Sequence, residues 1–196
     1  MKQISLMVVC AALAAMVVVA ASSAQADDEK ERTRVILVGD SMVWELGRAM
    51  EPLMEEAGYD FKHRHKTSDS IRSYAANNRM RDDLRKYKPD VVMISLGANE
   101  ALIPRPDSLI KPIKKIVGQV GDKPCYWIGP PMWTQDTGVV KLLEEHSGPC
   151  KFYNSSPLEL KRRKDGYHPN KEGSKVWAEA FLAWMKDNPP AAAAAE

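Results

Sequence analysis

Three short blocks of this sequence carry residue types able to do nucleophilic chemistry. The first is Gly39-Asp40-Ser41, directly after the apolar run Val35-Ile36-Leu37-Val38. A glycine there permits a tight turn, and a serine opening the next helix would hold its hydroxyl in a crevice. The free N–H groups and positive dipole end of a helix N-terminus favour a developing oxyanion at that point. A serine before a helix is equally a common N-cap. The second block, Gly97-Ala98-Asn99-Glu100, follows the run Val91–Leu96. The Asn99 amide can donate into the same crevice, although Gly and Asn are also ordinary turn formers. The third block is Asp165-Gly166-Tyr167-His168-Pro169-Asn170. Asp and His three apart on a tight loop let the carboxylate meet one imidazole nitrogen and leave the other facing a hydroxyl. A serine is a poor nucleophile until a neighbouring base takes its proton. The carboxylate would fix the tautomer and steady the imidazolium. The plain alternative is an Asp–Gly turn followed by a surface histidine.

Elements that could gather these blocks are legible in the apolar pattern. Short buried strands are expected at Val35–Val38, Val91–Leu96, Cys125–Ile128 and Lys151–Tyr153, with a weaker, polar strand at Tyr59–Arg64. Helical patterns run over Ser41–Ala57, Ile71–Tyr87, Ser108–Val120 and Asp136–His146. The last, Lys171–Lys186, carries Val176, Trp177, Ala180, Phe181 and Trp184 on one face. Strands that alternate with helices, and that are apolar throughout, argue for a parallel sheet covered on both faces. In such sheets ligands bind at the carboxyl ends of the strands; the first two blocks follow predicted strands and the third opens the last helix.

The chain has 196 residues, with 28 Lys+Arg against 26 Asp+Glu. That balance excludes a protein built mainly to grip nucleic acid. A 44% hydrophobic content excludes a disordered chain. Three cysteines exclude a disulfide-dense miniature scaffold. Residues 1–26 read as a secretory signal peptide: Lys2, the apolar stretch Ile4–Ala21, then Ala24-Gln25-Ala26 before Asp27-Asp28. The rival is an uncleaved anchor, since the apolar stretch could just span a bilayer. The surroundings of Cys10 lack the pattern of a lipoprotein site. Cleavage after Ala26 would leave about 170 residues, exported to the periplasm or beyond, with Cys125 and Cys150 able to pair in an oxidising compartment. Residues 27–33 form a charged leader, 34–188 the folded domain and 189–196 a tail with nothing to bury.

Taken together, Ser41, Asn99 and the Asp165–His168 loop, in that chain order, resemble the SGNH hydrolases, also called GDSL-type esterases and lipases. The resemblance covers nearly all of residues 34–188. It implies a three-layer α/β/α sandwich with a five-stranded parallel sheet of flavodoxin-like order. It implies Ser41 as nucleophile, His168 as base and Asp165 as its partner. The oxyanion hole would comprise the Ser41 N–H, the Asn99 side chain and a backbone N–H of the second block. That second block usually holds a glycine, and His65–Ser70 has none; Ser68 aligns there. A backbone N–H does not need glycine, but an unusual φ at Ser68 would be strained. Glu100 stands where the family often has Asp, a change expected to tune loop geometry. No metal or organic cofactor is implied, and His63, His65 and His146 lack the acidic or thiol partners of a metal set.

The expected activity is hydrolysis of an ester, foremost an O-acetyl group on a carbohydrate. A lysophospholipase or thioesterase, transfer of the acyl group to a sugar, and a non-catalytic polysaccharide-binding module are the alternatives. Partners would be a small-molecule or polysaccharide ester, with no nucleic acid and no stable membrane insertion after cleavage; oligomeric state is left open. Trp44 and Trp133 are candidate walls of the substrate pocket, with core packing as the alternative for each. The basic stretches Lys62–Lys66 and Lys161–Lys164 read as solvated surface, the second standing close enough to the Asp165–His168 loop to favour an anionic substrate.

Overall fold

The absence of in–out alternation along the apolar runs has a simple cause: the sheet has a core on each side. The structure, a computed structural model, describes residues 32–190. In β1 (Arg34–Gly39) every residue after the first is buried. Its successive side chains point to opposite faces, so Ile36 and Val38 enter one core while Val35 and Leu37 enter the other. β2 (Asp60–His65), β3 (Val91–Ser95), β4 (Cys125–Ile128) and β5 (Lys151–Tyr153) complete a five-stranded sheet in the order β2-β1-β3-β4-β5. Each neighbouring pair is parallel. This is the flavodoxin-like α/β arrangement expected, with β3 at the centre and β1 beside it. Only Phe61 is buried in β2, which explains that edge strand's polar sequence.

Helices α1 (Met42–Glu56) and α6 (Lys171–Asp187) cover one face. The other face carries α2 (Ile71–Ala76), α3 (Arg79–Tyr87), α4 (Ile110–Val120) and α5 (Val139–His146). The single helix expected over Ile71–Tyr87 is divided, and Asn77 divides it. Its backbone is extended, its amide donates to the Ser73 carbonyl at 2.7 Å, and its Oδ1 accepts from Arg79 N at 3.0 Å. One side chain thus closes α2 and opens α3. Likewise α5 starts later than the pattern suggests, because Asp136 takes the backbone N–H groups of Gly138 and Val140 and lies outside the helix.

Cys125 and Cys150 form a disulfide across the starts of β4 and β5, whose register pairs Tyr126 with Lys151. A crosslink closing 25 positions of chain constrains the unfolded state by about 3.5 kcal/mol in the chain-entropy view. Among the described residues no helix is long and apolar enough to cross a membrane. The expected signal peptide, the leader up to residue 31 and tail residues 191–196 lie outside the described residues.

Candidate active site

Ser41 does not cap its helix. β1 ends at Gly39, where any Cβ would collide with the Ser95 carbonyl of β3, so glycine alone fits this close approach. The neighbouring Asp40 then takes the capping role, its Oδ1 accepting from Met42 N at 2.9 Å. Ser41 has helical backbone angles and no capping bond. Its hydroxyl is left for another partner, and Oγ lies 2.9 Å from Nε2 of His168.

The Asp165–His168 loop is built by its own carboxylate. Asp165 Oδ1 accepts from the backbone N–H groups of Tyr167 at 2.9 Å and His168 at 3.0 Å. Oδ2 lies 3.0 Å from His168 Nδ1. The His168 contact first, and then the two backbone N–H groups, pull the Asp165 pKa down to about 2. The carboxylate that shapes the turn therefore also orients the ring, leaving Nε2 to face Ser41. Two arginines tie this loop down. Arg162 donates to the carbonyls of Tyr167, Pro131 and Met132, fixing the loop to the segment after β4. Arg163 forms an ion pair with Glu45 in the first turn of α1, one turn beyond Ser41.

Asn99 and Ser68 are brought together on the other side. The Asn99 amide donates one hydrogen to the carbonyl of Asp69 at 2.7 Å, adjoining Ser68. An amide carries two hydrogens, and this bond uses one of them. Ser68 has a φ of 58°, in the left-handed region. It is the third residue of a turn closed by Asp69 N donating to the Lys66 carbonyl, a place that favours glycine. The family's glycine thus has a conformational reason, and here a serine bears the cost.

Sequence reasoning missed how these loops are held. Asp40, fully buried, accepts from Met42 N, and its own backbone N–H donates to the Ser95 carbonyl, so it joins the Ser41 turn to the end of the strand that leads into the Asn99 segment. Glu100, also buried, accepts from Ile71 N at 2.7 Å and joins the Asn99 segment to the start of α2. Asp69, equally buried, pairs with Arg79, whose guanidinium lies 4.9 Å over the Tyr74 ring. An acid ahead of a helix hinted at Asp40; nothing in the spacing marked Glu100. Burial is the largest influence on both Asp40 and Glu100 and raises each to about 7.

Ser41 and His168 open onto a shallow hollow of about 250 Å³, whose other walls are Trp44, His65, Thr67 and Arg163. Trp44 is 41% exposed and so belongs to this wall rather than to the core. Trp133 stands apart from the hollow: its ring meets Tyr167 edge to face, with centroids 5.6 Å apart.

No protein-family model and no curated protein matches this sequence. Solved structures do match. TesA superposes with a TM-score of 0.65 at 18% identity, over 79% of this chain and 98% of that one. A lipase/acylhydrolase from Enterococcus faecalis gives 0.62 at 16% identity, over 83% and 99%. The acetylxylan esterase Axe2 from Geobacillus stearothermophilus gives 0.58 at 15% identity, over 77% and 93%. At such identities the likeness is one of fold, and the fold is the SGNH-hydrolase one.

Two stability measurements follow from this site. In the folded chain Asp40 and Glu100 keep their protons to about 7, against 3.8 and 4.5 for the freely solvated side chains. The stability they contribute is therefore full below those ordinary values and lost as pH rises through about 7. The melting temperature should fall by several degrees between about pH 5 and about pH 8, and an Asp40→Asn/Glu100→Gln variant should show a flatter slope; an unchanged slope would contradict this. In urea unfolding, Ser68→Gly should be stabilising by up to about 1 kcal/mol, because a left-handed non-glycine residue carries a cost of that order. A less stable Ser68→Gly protein would show that the serine side chain, not its φ, matters there.

Proposed function

We propose that this chain is an exported serine esterase that removes short acyl groups, foremost acetyl, from a carbohydrate. The observation that carries the reading is the continuous relay Ser41 Oγ–His168 Nε2, His168 Nδ1–Asp165 Oδ2, with separations of 2.9 and 3.0 Å. A plain N-cap serine and a surface histidine would have no reason to meet across 127 positions of chain.

His168 takes the proton of Ser41 as Oγ attacks the ester carbonyl. Negative charge on the carbonyl oxygen is received by the Ser41 N–H, the other hydrogen of the Asn99 amide and the N–H at Ser68. Donors of this kind are typically worth about 3–4 kcal/mol each in the transition state. His168 returns the proton to the departing alkoxide, which leaves as the alcohol. Water then gives its proton to His168 and its oxygen to the acyl carbon. When Ser41 recovers that proton, ester and water have become acid and alcohol. Asp165 keeps the ring oriented and balances the imidazolium in both halves.

The small, open hollow supports a short acyl group, since a long chain would find little enclosure there. Two fold neighbours bear the names of acetyl xylan esterases, which agrees with acetyl as the group removed. The signal-like residues 1–26 and the Cys125–Cys150 bridge support export. The same fold also occurs in a lipopolysaccharide acetyltransferase periplasmic domain, so the acceptor, water or sugar, is decided by measurement.

Purified protein lacking residues 1–26 should hydrolyse p-nitrophenyl acetate. Ser41→Ala should lower kcat by at least about a thousandfold, the scale on which such a triad fails. Equal, background-level rates for both proteins would sink the esterase reading in favour of a binding module.

A further inference from the structure

Two basic stretches that read in the sequence as solvated surface both end at the hollow. Residues 62–66 run along the edge strand β2, and its carboxyl end delivers His65 to one wall. Residues 161–164 precede the Asp165 turn and deliver Arg163 to the wall that His168 shares. Among the described residues no acidic side chain lines the hollow. The Arg163 partner, Glu45, lies with it in a second groove of about 630 Å³ between α1 and α6, not in the hollow. The guanidinium is thus steadied from behind and keeps donors for the cleft; it has five, in a planar fork.

Arg163 belongs to both cavities, so hollow and groove adjoin. Trp44 helps to set the positive charge between them. Its indole carries Arg48 5.4 Å from the ring centroid, and its centroid lies 4.9 Å from that of His65. Such contacts hold a cation in place without neutralising it. The groove continues with Arg48, Lys171 and Lys175 over a floor of Ala49, Pro52 and Leu53. Glu172, its other acid, is turned to Lys161 at 2.5 Å.

We infer that the ester taken by this site sits on an acidic glycan: an O-acetylated chain of carboxylate-bearing sugars. Its acetyl group reaches Ser41 while neighbouring carboxylates meet Arg163 and Arg48. The inference rests on the esterase reading above and adds the charge of the substrate. Guanidinium forks match carboxylates in geometry as well as sign, and an apolar strip edged by cations suits sugar ring faces that carry acids. A glycan is favoured over an acidic lipid because a long acyl chain leaving Ser41 would have to cross the open hollow before reaching any apolar floor.

The test compares acetate release from O-acetylated polygalacturonate and from O-acetylated glucomannan, which is neutral. At low ionic strength kcat/KM should favour the polyuronate by about tenfold or more, the worth of one charge-assisted hydrogen bond. That ratio should shrink several-fold at about 0.5 M salt, where charges are screened within a few ångströms. Glu45→Gln/Arg163→Gln, which removes the pair together, should lower the ratio about threefold or more, and so should Arg48→Gln, which breaks no ion pair. Equal rates on both polymers, independent of salt, would overturn the inference while leaving the esterase reading intact. Preferred cleavage of a lysophospholipid would also overturn it. Failure to cleave even p-nitrophenyl acetate would instead strike at the esterase reading beneath it.

Discussion

Everything proposed for this protein depends on one meeting of chain ends: the Ser41 hydroxyl, after the first strand, against His168, before the last helix. A hydrogen bond of that kind nets only about 1 kcal/mol, far too little to bring such distant segments together. Apolar burial does it. Leu46 and Met50 of α1 and Trp177 and Phe181 of α6 are all fully buried in one core. Each such side chain contributes about 1.5–3 kcal/mol. α1 begins at Ser41 and α6 follows His168 directly, so docking the helices brings the two residues together. Arg163–Glu45 and the Asn170 cap on Gly173 N then fix the remaining freedom at the helix starts.

The opposite side of the crevice is fixed by less economical means. Asp40, Asp69 and Glu100 are all buried carboxyls. An apolar core would be cheaper, since a buried charge or an incompletely satisfied acid costs stability. What they provide is position: Asp40 takes the first N–H of α1, Glu100 the first N–H of α2, and Asp69 the Arg79 guanidinium at the start of α3. The Ser41, Ser68 and Asn99 segments are thereby held together by short polar links rather than by adaptable packing. The left-handed Ser68 belongs to the same pattern, local strain carried where three loops converge.

Much of this was legible in the sequence. β4 and β5 lie where the apolar runs place them, and the Gly39, Asn99 and Asp165–His168 blocks are found at strand ends or a helix start because a parallel sheet gathers its loops there. The break at Asn77 was not legible, since it depends on a side chain bonding backward and forward at once, which periodicity does not register. Nor was the role of Glu100, whose partner Ile71 lies 29 positions away. The basic stretches are largely solvated, as charge runs usually are. What spacing does not register is that two of them finish beside one serine, which depends on the sheet order.

The most direct test is covalent. The relay makes Ser41 the activated nucleophile, and residues 35–48 form a tryptic fragment in which it is the only hydroxyl-bearing side chain. Protein treated with a fluorophosphonate ester and analysed by mass spectrometry should carry one adduct, on that fragment, and His168→Ala should abolish it. An adduct elsewhere, no adduct at all, or labelling that persists in His168→Ala would contradict the relay on which the proposed chemistry rests.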